Sequence, residues 1–190
     1  METGVILKLG EGVLKLVMFL STLNKRKVYG LCMSASSGKT TLVKNLRADG
    51  VRPIDLEEYT LRLFLSEEER KIVDRLKNED INQYECFFEP KCKKYVEELK
   101  KNYPNEKLVV VASSVRLLQA CGCTNIRYYA PAQSLFNTIR ETVEDNDITN
   151  NIISGRMRLV SDAGKKLMLF SSFEGLSTDV KKWLKLKLTL

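Results

Sequence analysis

The stretch Val28-Tyr29-Gly30-Leu31-Cys32-Met33-Ser34-Ala35-Ser36-Ser37-Gly38-Lys39-Thr40-Thr41-Leu42-Val43-Lys44-Asn45-Leu46 decides how this chain folds. Val28 to Met33 is a short apolar run of the length of one buried strand. Ser34 to Gly38 are all small, which lets the backbone turn tightly. Thr40 to Leu46 then reads as a helix with Leu42, Val43 and Leu46 on one face. Such a strand–loop–helix junction points its backbone N–H groups inward and adds the positive end of a helix dipole, so it attracts anions. Lys39 supplies a flexible cation, and Thr40 a hydroxyl suited to magnesium. Ser34, Ala35, Ser36, Ser37, Gly38, Lys39, Thr40 and Thr41 are therefore the candidate loop for the phosphates of a nucleoside triphosphate, with Lys39 on phosphate and Thr40 on Mg²⁺. The strict pattern G-x-x-x-x-G-K-[ST] would place glycine where Met33 stands.

Outward from this junction, apolar and amphipathic segments alternate. Val51 to Ile54 is a second strand, ending in the acids Asp55, Glu57 and Glu58. Residues 59–103 are helical in pattern and strongly charged, with Pro90 and the segment Asn78 to Asn82 expected to punctuate the helices. Leu108 to Ala112 is an unbroken apolar run, the mark of a strand buried on both faces. A helix over Val115 to Ala120, a strand over Ile126 to Ala130 and a helix over Ala132 to Arg140 follow. Asp145, Asn146 and Asp147 break that helix before another through Ile152, Ile153 and Met157. A strand at Leu167 to Phe170 and a helix over Ser177 to Lys187 close the chain. Strands alternating with helices predict an α/β, three-layer fold: a parallel sheet with helices on both faces and a helical insert.

Composition narrows the chemistry. With 31 Lys and Arg against 24 Asp and Glu, the net charge is +7, which favours anionic partners. The lysines come in scattered pairs among acids, the pattern of solvated helix faces, so a nucleic-acid partner is not favoured. The chain has no histidine, which excludes Ser-His and Cys-His catalysis and His-containing metal sites. Its five cysteines contain no C-x-x-C pair and read as buried free thiols. Gly12 to Leu23 is interrupted by Lys15 and falls short of the ~20 residues of a spanning helix. Glu2 and Glu11, with no small-residue cleavage site, argue against a signal peptide, and the reading is a cytosolic or nuclear protein.

Two stretches resemble the nucleoside monophosphate kinase group of P-loop proteins, and guanylate kinase most in layout. Lys39-Thr40-Thr41-Leu42 stands where that family has Lys-Ser-Thr-Leu. From Val109 on, the order Val109-Val110-Val111, Leu117-Leu118-Gln119-Ala120, Tyr128-Tyr129-Ala130-Pro131 and Ala132 to Arg140 is similar to that family's strand and lid entry. Ile148 through Arg156-Met157 resembles the returning lid helix. Residues 1–27, with an amphipathic segment and a polar turn before the first strand, read as a leader, and the resemblance implies a kinase-like domain over 28–190. Within that domain it implies an acceptor-binding insert over 59–103 and a lid over 141–158. It implies ATP and Mg²⁺ as cofactors, and transfer of the γ-phosphoryl to a nucleotide or another small phosphorylated acceptor. Lys39, Arg140 and Arg156 would be catalytic, with Arg158 a spare; Asp55 and Arg116 would bind the acceptor, and Thr40 and Asp55 the metal.

Departures set the alternatives. Met33 and Ser36 replace two loop glycines, and Ser113-Ser114 stand where related kinases place an acid near magnesium. The helical middle differs from the β-rich guanine-binding domain of guanylate kinase. A nucleotide-binding protein without turnover, used in assembly or regulation, is the second reading, and nucleic-acid binding the third. The bland assignments beside these are an N-cap for Asp55, ion pairs for the arginines and core packing for Tyr84, Phe87 and Phe88.

Overall fold

Val109, Val110 and Val111 are completely buried because the strand that carries them lies at the interior of a sheet covered on both sides. The computed structural model describes residues 28–47 and 50–186, the side chain of Asn78 excepted, so the expected leader over 1–27 lies outside the described residues. In chain order the elements are β1 (Val28–Met33), α1 (Lys39–Asn45), β2 (Val51–Asp55), α2 (Leu56–Phe64), α3 (Glu67–Glu79) and α4 (Ile81–Asn102). They continue with β3 (Lys107–Ala112), α5 (Val115–Ala120), β4 (Asn125–Pro131), α6 (Gln133–Glu141), α7 (Asn146–Ala163), β5 (Leu167–Phe170) and α8 (Phe173–Trp183). The five strands are all parallel and stand in the order β2-β3-β1-β4-β5.

Alternation along β3 builds the two outer layers. Leu108, Val110 and Ala112 face one apolar cluster, which also holds Phe88, Cys92 and Val96 of α4, Leu117 and Leu118 of α5 and Leu159 of α7. Val109 and Val111 face the other, formed with Leu42 and Val43 of α1 and Leu176 and Val180 of α8. Each buried Val, Leu or Phe among them contributes roughly 1.5–3 kcal/mol by leaving water. The result is the three-layer α/β architecture that the alternating pattern predicts.

Several boundaries differ from the pattern. Pro90 lies inside α4, which continues unbroken for 22 residues. A mid-helix proline costs about 3 kcal/mol. Pro90 is on the exposed side, while Tyr84, Phe88, Cys92, Tyr95 and Val96 form a buried stripe that offsets it. Between α3 and α4 a single residue, Asp80, closes one helix and caps the next through Asn82 and Gln83 N–H. The last helix starts at Phe173 rather than Ser177, because Ser172 accepts from the Gly175 N–H at 3.0 Å and fixes the start. It ends at Trp183, before Lys185 takes a left-handed φ of 55°. None of the described helices is long and apolar enough to cross a membrane.

Parallel order puts the carboxyl ends of β1, β2 and β3 side by side. The loop after β1, Asp55 at the end of β2, and Ser113 beyond β3 therefore meet at one edge, where open α/β sheets bind ligands.

Candidate active site

The loop between β1 and α1 is built from its own polar groups. Ser34 and Ser37 are buried. The Ser34 carbonyl accepts from the Ser37 hydroxyl at 2.5 Å and from its N–H at 3.4 Å, closing the turn. Ser36 sits at φ 54° and Gly38 at φ 84°, so the loop has two left-handed residues. At Gly38 a side chain is also excluded sterically, since an added Cβ would lie 2.3 Å from Cε1 of Phe173. Gly38 precedes α1 without a side-chain cap. Met33, at the place of the missing glycine, is fully buried beneath the loop and packs with the α1 and α8 side chains.

Lys39 turns back over this loop. Its Nζ is 3.4 Å from the Ser34 carbonyl and 3.5 Å from Glu57 Oε2. Glu57 is buried, and its Oε1 accepts from the Ser113 N–H at 3.2 Å and from the Ser113 hydroxyl. Burial opposes the charge on Glu57, but Lys39 and the Ser113 hydrogen bonds outweigh it and hold the carboxyl below its ordinary range. Asp55 moves the other way: burial and the nearby Glu57 raise it, against the opposing pull of Lys39. The two neighbouring carboxyls are thus shifted in opposite directions.

Asp55 caps the helix after β2 and also faces Thr40. Its Oδ1 caps α2 at the Glu58 N–H, 3.4 Å away, and its Oδ2 accepts from the Thr40 hydroxyl at 3.1 Å. Glu58 Oε2 also accepts from that hydroxyl, at 3.2 Å. A hydroxyl with two carboxylates is a hard-oxygen donor set that suits Mg²⁺. No group of three Asp, Glu or Cys side chains among the described residues could hold a metal ion alone, so phosphate oxygens and water would complete its coordination.

Beside Lys39 and Glu57 opens a cavity of about 360 Å³, lined by the loop, α3, α4, Ser113 and α7. Lys77, Tyr84, Ile152 and Arg158 are among the lining side chains. Helix α7 approaches the loop at Gly155, where an added Cβ would come within 4.0 Å of the Ala35 nitrogen. A larger groove of about 600 Å³ runs along β2, lined by Tyr59, Tyr95, Tyr103 and Arg52. Arg52 there is already paired with Glu106 at 2.9 Å and stacked on Tyr103 at 3.4 Å. The smaller cavity holds Lys39 and the buried carboxylate of Glu57, which makes it the candidate site.

Arg116, expected at the acceptor, and Arg140 and Arg156, expected as lid arginines, are outside the lining of this cavity. Arg116 pairs with Glu89 at 3.0 Å and donates to the Cys86 sulfur at 3.3 Å; it does not line the cavity. Arg156 donates to the Pro131 carbonyl at 2.5 Å and stacks over Phe136 at 4.4 Å, and burial there depresses its pKa. Arg140 is exposed in the last turn of α6, outside the cavity lining. Arg158, two residues beyond Arg156 and so on another side of the same helix, lines the cavity. Thr41 is exposed on α1. Of the aromatic trio, Tyr84 and Phe88 are buried and stacked at 5.3 Å, while Phe87 stands 5.3 Å from Lys91 Nζ. Four cysteines are buried and Cys86 is exposed; burial pushes the Cys32, Cys121 and Cys123 thiols up to about 12, so they stay neutral.

Glu57 and Ser113 are a buried pair at the site that the amino-acid pattern under-weighted. The signal lay in the acidic cluster after β2, but nothing local says that Glu57, rather than Asp55, turns inward to the phosphate loop.

No family model and no curated protein matches the chain. Among solved structures, a sugar kinase from a Janibacter species is similar with a TM-score of 0.55 at 10% identity, covering 85% of this chain and 95% of that one. Shikimate kinase from Acinetobacter baumannii scores 0.48 at 13% identity over 89% and 99% of the two chains. Dephospho-CoA kinase from Campylobacter jejuni scores 0.49 at 12% identity over 83% and 95%. The guanylate kinase layout is not singled out among them. At such identities the likeness concerns the fold: the chain has the parallel, three-layer P-loop NTPase architecture, with its candidate site at the carboxyl edge of the sheet.

Proposed function

We propose that this protein binds Mg·ATP through the loop Ser34 to Thr41 and transfers the γ-phosphoryl group to a small acceptor seated in the 360 Å³ cavity. The observation that carries this reading is the position of Lys39, at the junction of the loop and the cavity with its ammonium between the Ser34 carbonyl and Glu57. Phosphoryl transfer asks the protein mainly for alignment and charge cancellation. Lys39 would leave its internal partners to hold the β- and γ-phosphates, and Thr40, Asp55 and Glu58 would hold Mg²⁺. When bound, the metal neutralises charge on the phosphates.

Residues 28–190 serve in this reading as one kinase-like domain. The helical insert at 59–103 contributes Asp74, Lys77, Ile81 and Tyr84 to the cavity, and the lid at 141–158 contributes Ile148, Asn151, Ile152, Gly155 and Arg158. Arg158 takes the part of the lid cation in place of Arg140 and Arg156. A nucleoside monophosphate, the acceptor implied by the resemblance, is one of the phosphorylated compounds to be tried.

ATP-dependent thermal stabilisation tests the binding step. At a concentration of 100 times Kd a ligand adds about 2.7 kcal/mol. For a domain of this size that raises Tm by roughly 5–10 °C. The shift is expected to vanish in Lys39→Ala, and a variant that keeps the full shift would refute the assignment of this loop.

A further inference from the structure

Glu57 has no part in holding phosphate or metal, yet it is the buried carboxylate closest to the loop lysine, and it lines the cavity. Both hydrogen bonds from Ser113 fall on Oε1. Oε2 faces Lys39, so a lysine drawn onto triphosphate oxygens would leave Oε2 turned toward the cavity. A phosphate acceptor has an ionised oxygen already; it needs no base, and a fixed negative charge beside it is repulsive. A hydroxyl acceptor needs the opposite, a carboxylate within hydrogen-bond reach to take its proton.

The rest of the lining agrees. Tyr84 is the aromatic side chain of the cavity, and one face of its ring is already stacked on Phe88. It is also buried, so it offers little platform for a nucleobase. Lys77 and Arg158 line the cavity with no salt-bridge partner within 4.0 Å among the described residues, and Asp74 is a further acid there. Two cations without a salt-bridge partner among the described residues, beside Glu57 and Asp74, still suit an anionic group on a ligand.

Resting on the kinase reading above, we propose that the acceptor is a small hydroxyl compound carrying a carboxylate or phosphate, with Glu57 as the base for its hydroxyl and Lys77 and Arg158 as the seat of its anion. The hydroxyl oxygen forms a bond to the γ-phosphorus while the bond from that phosphorus to the β,γ-bridging oxygen breaks. The hydroxyl proton passes to Glu57 Oε2, ADP departs with the bridging electron pair, and Glu57 returns its proton to solvent. The products are a phosphate ester and ADP, with no change of oxidation state.

The test uses the full chain and begins with water, the smallest hydroxyl acceptor. Glu57→Gln is expected to slow basal Mg·ATP hydrolysis about 100-fold or more, with ATP-dependent thermal stabilisation retained, and Glu57→Asp to recover part of the rate. Hydrolysis by Glu57→Gln at the wild-type rate overturns the role of Glu57. ADP release by the wild type is then followed with D-glycerate and D-gluconate, with ribose 5-phosphate and glucose 6-phosphate, with neutral glycerol and glucose, and with AMP, CMP, GMP and UMP. Stimulation by an anionic hydroxyl compound at least about tenfold above the neutral ones, reduced in Lys77→Gln and Arg158→Gln, supports the proposal; the carboxylate and phosphate members tell which anion is read. Formation of a nucleoside diphosphate, an equal response to neutral and anionic members, or no response to any member overturns the acceptor class. If ATP does not stabilise the wild type, the nucleotide-binding reading fails and takes this proposal with it. Stabilisation with Glu57-independent turnover defeats this proposal alone.

Discussion

Replacing Gly38 by alanine tests the shape of the phosphate loop without touching a charged group. Two costs add at this position. A non-glycine residue at φ 84° pays about 1–2 kcal/mol for the left-handed backbone. The new methyl would also lie 2.3 and 2.6 Å from two ring carbons of Phe173, well inside contact distance. Relieving such an overlap costs typically about 1–3 kcal/mol. The Phe173 ring is the far end of a side chain and can swing aside, giving up its tilted contact with Phe170 at 5.8 Å, so the total is about 2–5 kcal/mol. For a domain of this size that lowers Tm by roughly 4–20 °C. Thermal unfolding followed by circular dichroism measures it, in a double-mutant cycle with Phe173→Ala. In the Phe173→Ala background the steric part disappears, and Gly38→Ala should cost only the backbone share of about 1–2 kcal/mol. A penalty below about 0.5 kcal/mol in the wild-type background, within the scatter of ordinary surface substitutions, would show that the loop does not hold this conformation. Equal penalties in the two backgrounds would show that Phe173 does not close over Gly38.

Acid should act on the site through Glu57, whose carboxyl is held below the ordinary value of 4.5 by Lys39 and Ser113 against the opposing effect of burial. Its contribution to stability is present above that ordinary value and is lost as pH falls through the lower folded one. Wild type is therefore expected to lose more stability than Glu57→Gln on acidification below pH 4.5 in denaturant titrations, and parallel losses would contradict the ion pair. Asp55 carries the opposite sign, because burial and Glu57 raise its carboxyl above 3.8. Asp55→Asn keeps a cap for α2, and it should stabilise the nucleotide-free protein at neutral pH and lose that advantage in acid; a variant less stable at neutral pH would count against the raised value. Among the arginines, Arg158→Ala is expected to reduce acceptor-dependent ADP release, whereas Arg116→Ala should leave it within about twofold, since an exposed pair such as Arg116–Glu89 contributes little. The reverse order would restore Arg116 to the acceptor site.

Local pattern carried much of the fold. The six-residue apolar run before Ser34 reads as a buried strand and is one, and the small residues before Lys39 and Thr40 form the tight strand-to-helix loop although Met33 is not glycine. Leu108 to Ala112 announced an interior strand, because no other element needs five apolar residues in succession. Pro90 misled for a physical reason. Its local cost is real, but it is outweighed by a buried stripe on the opposite side of α4, a tertiary effect that propensity does not contain.

What the sequence determined by itself was the alternation of strand and helix and the tight strand-to-helix junction that carries Lys39 and Thr40, since both depend on residues within a few positions of one another. What only tertiary structure decided was the company that junction keeps. Sheet order placed β3 beside β1, which brought Ser113 to Glu57 across 56 residues and Glu57 to Lys39. The helical phase of α7 turned Arg158 into the cavity and left Arg156 on Phe136. Charge partners are chosen by distance in space, and Coulomb energy falls with that distance whatever the separation along the chain.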